Sequence, residues 1–335
     1  MKRSMVRVTV AALLAAFGAG PGCTRAELRA VTGSPGADAA ADSDAGAGTD
    51  GRPDTRLDAD SDGAAAGASG HCPSVPLTPG TNTTRMITVD GTSRSYILHV
   101  PSTYDGSRAA PLVVDFHALG SSAALERSTS PYPAQTDPEG VVTAFPSGLT
   151  GPKGTAWNIG PCCVANVDDV AFTIALVEDV ESVACIDARR VYAVGVSMGG
   201  GMAYYVACRA GDMFAAIAPS AFDLLQENVG KCTPPRPITV ISFRGRADTL
   251  VPYAGGPSTL VPQMSVTFLG AQATFQKWAE IDGCTGAPSA EDADGCSRYS
   301  GCQGGADVIL CSKAGGGQEQ GDASIAWPIL RAHTL

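Results

Sequence analysis

Ser197 stands in the middle of Gly195-Val196-Ser197-Met198-Gly199, and its neighbours decide whether its hydroxyl can serve as a nucleophile. The run Arg190 to Val196 before it is β-prone and mostly apolar, and Met202 to Ala207 after it is compatible with a helix. Gly-x-Ser-x-Gly between a strand and a helix is the form of a nucleophile elbow, a tight turn that pushes one serine hydroxyl into the open. Gly195 and Gly199 belong to that form because the turn is crowded, and a Cβ at either place would meet neighbouring backbone. An ordinary glycine-rich loop would explain neither flank.

A serine oxygen attacks a carbonyl only if a base takes its proton and a third group orients that base. The acid candidate is Asp248, which follows the apolar run Pro237 to Phe243 in the segment Arg244-Gly245-Arg246-Ala247-Asp248-Thr249-Leu250-Val251-Pro252-Tyr253. That places it in a loop at the C-terminal end of a strand, where sites collect in open α/β sheets. A plain surface aspartate is the competing reading. Negative charge developing on a substrate carbonyl needs backbone N–H groups. One is that of Met198. The other is expected from the loop after an early strand, His117-Ala118-Leu119-Gly120, which makes Ala118 and Leu119 the candidates. His117 is read as shaping that loop rather than as a base.

These positions need elements to hold them. Met86 to Asp90 and Arg94 to Val100 alternate like a hairpin turning at Asp90-Gly91. Pro111 to His117, Val141 to Phe145, Val191 to Val194, Phe214 to Pro219, Pro237 to Phe243 and Asp307 to Cys311 read as strands. Val167 to Val183, Met202 to Arg209, Ala271 to Ile281 and Asp322 to His333 read as helices. Apolar strands alternating with helices predict an α/β fold with a mostly parallel central sheet and helices on both faces.

The chain has 335 residues and a formal net charge of −10. That acidity argues against a nucleic-acid partner, which would need clustered Lys and Arg. Lys2, Arg3 and Arg7 precede an apolar stretch, Val8 to Ala19, too short to span a bilayer, and Cys23 follows. Residues 1–23 therefore resemble a lipoprotein-type signal with a lipid anchor at Cys23, plain secretion being the alternative. Either way an exported protein is expected. The ten other cysteines, an even number, suggest disulfides. Proximity in sequence pairs Cys208 with Cys232, and Cys296 with Cys302. No Cys-x-x-Cys or histidine spacing suggests a metal. Residues 24–70 are rich in Ala, Gly and Asp and lack aromatic residues, the composition of a disordered tether. Residues 71–335 form the expected catalytic domain.

Five segments occur in a specific order: Pro111 to Ser122, Trp157-Asn158-Ile159-Gly160-Pro161-Cys162-Cys163, Val167 to Phe172, the elbow, and Arg244 to Tyr253. Together they resemble the secreted polyhydroxybutyrate depolymerase, feruloyl esterase and acetylxylan esterase group of α/β-hydrolases, from Met86 to the C-terminus. The resemblance implies an α/β-hydrolase fold and hydrolysis of carboxylic esters by a Ser-Asp-His triad, without a metal or organic cofactor. Ser197 and Asp248 match the group's nucleophile and acid. The histidine does not match. The group carries it directly after a run of glycines, and here Gly315-Gly316-Gly317 is followed by Gln318. An amide has no useful basicity. His333 is the fallback base, and Glu319 a weaker one; His99 and His71 are worse placed. Ala118 stands where the group usually has glycine, and Arg244 where it often has histidine. The expected partner is an ester substrate, a polyester or a plant cell-wall ester. The alternative is a catalytically lapsed relative that binds a ligand or polysaccharide at the surface.

Overall fold

The computed structural model describes residues 72–335 apart from residues 75, 76, 262 and 319. The expected signal, the Cys23 anchor, the tether, His71 and Glu319 lie outside the described residues. β1 (Thr81–Val89) and β2 (Thr92–Val100) form the expected antiparallel hairpin. Its two turn residues, Asp90 and Gly91, have φ of 48° and 75°, the paired positive angles that match the twist of the flanking strands. Then come β3 (Ala110–Phe116), α1 (Ala123–Thr129), α2 (Pro133–Thr136), β4 (Val142–Pro146) and a small hairpin of β5 (Leu149–Gly151) with β6 (Gly154–Ala156). The middle of the chain alternates through α3 (Asp169–Val183), β7 (Ile186–Val196), α4 (Met198–Ala210), β8 (Ala216–Ser220), α5 (Gln226–Val229) and β9 (Thr239–Gly245). A short ribbon of β10 (Gly256–Pro257) and β11 (Thr267–Phe268) precedes α6 (Ala271–Ile281), β12 (Cys296–Tyr299), β13 (Val308–Lys313) and α7 (Ala323–Leu330).

Nine strands make one sheet in the order β1-β2-β4-β3-β7-β8-β9-β13-β12. The six from β4 to β13 run parallel. The hairpin adds antiparallel strands at one edge and β12 one at the other. Every residue of β3, β4, β8 and β9 is buried. These strands read as continuous apolar runs because helices cover both their faces. Alternation assigns successive side chains to opposite faces. Leu112, Val114 and Phe116 join one core with Leu176, Met202 and Trp278 of the helices α3, α4 and α6. Val113, Tyr192 and Ile241 join the other with Ala326, Trp327 and Leu330 of α7.

Five disulfides tie this frame: Cys72–Cys185, Cys162–Cys163, Cys208–Cys232, Cys284–Cys302 and Cys296–Cys311. The expected Cys208–Cys232 pair is present. The expected Cys296–Cys302 pair is not, because antiparallel register sets Cys296 of β12 directly across from Cys311 of β13. Cys302 meets Cys284, just beyond α6.

Candidate active site

β7 runs into α4 without a loop, and Ser197 is the junction. Its φ of 54° and ψ of −125° lie in a region that side-chain-bearing residues rarely occupy. Such a conformation persists only when its surroundings over-determine it. The surroundings do so here: Ser197 N–H donates to Ser220 O of β8 (2.9 Å), and Gly201 N–H donates to Ser197 O (3.0 Å). A Cβ on Gly195 would come within 2.6 Å of Gly199, and one on Gly199 would overlap the Phe116 carbonyl oxygen. The crowding expected of the elbow is thus between the elbow and the end of β3. Because the obstacle is backbone, Gly199→Ala should cost at least about 3 kcal/mol, the upper part of the overpacking range. Thermal unfolding would check it, and a melting temperature within a degree or two of wild type would contradict it.

Ser197 is 8% exposed and lines a cleft. Leu119, Met198, Val251, Val261 and Phe268 are among its lining residues, and most of the lining is apolar. Met198 is the first residue of α4, where backbone N–H groups have no acceptor inside the helix. Leu119 shares the cleft with Ser197 and Met198, while the half-buried Ala118 is not among the lining residues. The Ala118–Leu119 loop is held by His117. The His117 ring accepts from Gly148 N–H at Nε2 (3.0 Å), so Nδ1 carries the proton and donates to Ala118 O (2.7 Å). Burial lowers the His117 pKa, which keeps the ring neutral. Trp157 Nε1 donates to His117 O (2.8 Å), and Gly120 N–H to Thr155 O (2.8 Å). His117 therefore shapes the loop, as its position in the sequence suggests.

Asp248 lies in the turn after β9 and is 5% exposed. Its Oδ1 accepts from Leu250 N–H (2.9 Å) and Val251 N–H (3.0 Å). Its Oδ2 is buried with no hydrogen-bond partner among the described residues. The turn is stitched to the glycine run that carries residue 318: Ala247 N–H donates to Gly316 O (2.8 Å), and Arg246 N–H to Lys313 O (3.0 Å). Gln318 is thereby delivered to the serine. Its Nε2 donates to Ser197 Oγ at 3.0 Å. Residue 318 thus meets Ser197 Oγ with an amide, a group without useful basicity.

His333 does not reach this site. Its Nδ1 lies 3.2 Å from Thr239 Oγ1 and its Nε2 3.7 Å from Asp307. Thr239 opens β9, whereas Asp248 follows the other end of that seven-residue strand. At roughly 3.3 Å per residue the two ends are some 20 Å apart. The fallback base is therefore corrected: α7 returns along the sheet and leaves His333 at the opposite end. His99 is engaged at the sheet edge with Asn82 and Asp137.

Two features escaped the sequence reading. Arg244 and Asp223 are buried to 0% and 1% side-chain exposure and form an ion pair beside the acid turn, and Arg244 Nη2 donates to Val251 O (2.6 Å). Asp169, also buried, accepts from Arg94 (2.6 Å) and from Asn158 N–H (2.6 Å), anchoring the segment that walls the cleft. Neither pair is adjacent in sequence, so only buried charge opposite buried charge reveals them.

No family model matches the sequence. Feruloyl esterase B of Piromyces equi is 42% identical over 245 residues, covering 72% of this chain and 46% of that protein. Feruloyl esterase C of Emericella nidulans is 30% identical over 168 residues, covering 49% of this chain and 58% of that protein. The chain thus spans about half the length of these relatives. Among solved structures, acetyl xylan esterase from Aspergillus awamori superposes with a TM-score of 0.56 at 14% identity, covering 74% of this chain and 99% of that one. The chain thus has the α/β-hydrolase fold and is similar in sequence to feruloyl esterases.

Proposed function

We propose that this protein is a carboxylic-ester hydrolase, that Ser197 Oγ takes the acyl group, and that its substrates are esters of aromatic or other apolar acids. One observation carries the reading: a serine fixed in the elbow conformation at the head of α4 opens into a cleft walled by apolar side chains. The similarity to feruloyl esterases supports the ester class. Ser197 Oγ attacks the carbonyl, and the oxyanion falls to Met198 N–H with the Ala118–Leu119 loop supplying the second donor. The alcohol leaves, and water then hydrolyses the acyl-enzyme. Asp248 is the acid of the frame. Gln318 cannot accept the serine proton. The proton therefore passes to solvent water, and what Ser197 adds comes on top of the residue left by binding and oxyanion stabilisation, about 10³–10⁴-fold over water in a serine hydrolase stripped of its triad.

Hydrolysis of p-nitrophenyl butyrate tests this. Wild type should exceed the spontaneous rate by more than that factor, and Ser197→Ala should fall to it. If the two proteins are equal, Ser197 is not a nucleophile, and the second reading of the sequence, a surface binding protein on a hydrolase frame, takes its place.

A further inference from the structure

We infer that the Cys162–Cys163 disulfide is a specificity-determining wall of the cleft, selecting a planar aromatic acyl group over an aliphatic one. The inference rests on the reading of this cleft as the acyl site. The first argument is what this disulfide fails to do. The other four join residues 113, 24, 18 and 15 positions apart, and so restrict the unfolded chain. Cys162 and Cys163 are neighbours. Their bond closes almost no loop and by the same account stabilises least. Its effect must be local.

Locally, it faces the nucleophile. Cys162 and Cys163 line the same cleft as Ser197, together with Leu119, Ile159 and Phe268. Cys163 has φ of 81°, a left-handed conformation that costs a side-chain-bearing residue free energy and tends to occur at functional sites. The pair is held there from behind. The β5–β6 hairpin packs so closely that a Cβ on Gly151 would overlap the Cys163 carbonyl oxygen. The two flanks are tied together: Asn158 Nδ2 donates to Val167 O (2.6 Å), and Asn158 N–H to Asp169, which is paired with buried Arg94. The wall is built, not a loose end.

The chemistry of the wall then points to its guest. A disulfide presents two polarisable sulfurs and, unlike two thiols, no hydrogen-bond donor. Sulfur packs favourably against aromatic rings, and two such contacts are worth about tenfold in affinity.

Binding of free acids separates this inference from the question of turnover. Ferulate and hexanoate both carry a carboxylate, so their difference isolates the tail. Their dissociation constants would be measured calorimetrically on Ser197→Ala and on Ser197→Ala with Cys162→Ser and Cys163→Ser. Ferulate should weaken about tenfold in the second protein and hexanoate less than twofold. Equal weakening of both acids, or none, overturns the inference. Non-reducing peptide mapping of wild type covers the case in which the serine variant does not fold. Residues 162 and 163 should resist iodoacetamide and lack two hydrogens, and alkylation at both overturns the inference. A wild type no more active than Ser197→Ala would sink the hydrolase reading while leaving these binding results to be judged separately.

Discussion

Gln318→His is expected to raise kcat/KM on p-nitrophenyl butyrate by at least about 10³-fold, because residue 318 already meets the serine and its glycine run is bonded to the turn that holds a carboxylate. The Gln318 side chain reaches Ser197 Oγ at 3.0 Å. In the turn bonded to the glycine run, Asp248 Oδ2 is buried without a hydrogen-bond partner among the described residues, while Oδ1 is occupied by two backbone donors. A histidine would place one nitrogen toward the serine and offer its other N–H to the free carboxylate oxygen, the arrangement that fixes tautomer and orientation in a triad. Loss of the histidine costs about a millionfold in kcat in subtilisin, and the gain sought here is a fraction of that. The variant should also acquire a rising pH limb centred near the imidazole range of about 6.5, since only the neutral ring takes a proton. Asp248→Asn should then cost the variant up to about 10⁴-fold, the loss seen when the triad acid becomes an amide. The same change in wild type should cost far less, because no ring is there to orient. A variant no faster than wild type would mean that residue 318 does not limit the rate.

The second large effect is on stability. Arg244→Met should cost about 3–5 kcal/mol, the penalty for leaving the partner charge of a buried ion pair uncompensated. In a domain of this size that is a melting-temperature drop of roughly 10 °C or more. Arg244 also donates to Val251 O, in the turn that presents Asp248 and lines the cleft, so the loss should loosen the acid turn as well. Arg244→Met combined with Asp223→Leu should recover most of the stability, because apolar replacement of both partners removes the desolvation cost. A single variant within a kilocalorie of wild type would show that the pair is not desolvated. The pH dependence has a definite sign. Burial pushes the Asp223 carboxyl up to about 6; the Arg244 charge opposes that rise and the Asp248 charge adds to it. The folded state therefore holds this proton above the pH at which the unfolded chain releases it. Through this group, stability falls as pH rises from about 4 to about 6. In Arg244→Met the opposing charge is gone, so the decline should continue above pH 6.

Whatever depends on neighbours in the chain was legible in the residues. The elbow is a statement about four consecutive peptide units, and its glycines, strand and helix are all local. Asp248 was found because a turn follows an apolar run. The parallel, doubly covered sheet was found because buried strands carry no polar alternation. Gln318 was equally plain as a departure from the resemblance, since it directly follows a glycine run. The tertiary structure decided what depends on segments meeting across the sheet. Cys296 pairs with Cys311 because strand register, not distance along the chain, brings sulfurs together. His333 is excluded because α7 packs so that its C-terminal end falls beside the start of β9, not its finish. Arg244 is in sequence only a departure from the group's histidine; its partner, Asp223, lies twenty-one positions earlier and is buried against it. Ser197 can therefore be picked out from its neighbours in the chain, whereas its conformation, held against β3 and β8, and the residues that meet it depend on which distant segments the sheet brings to its C-terminal edge.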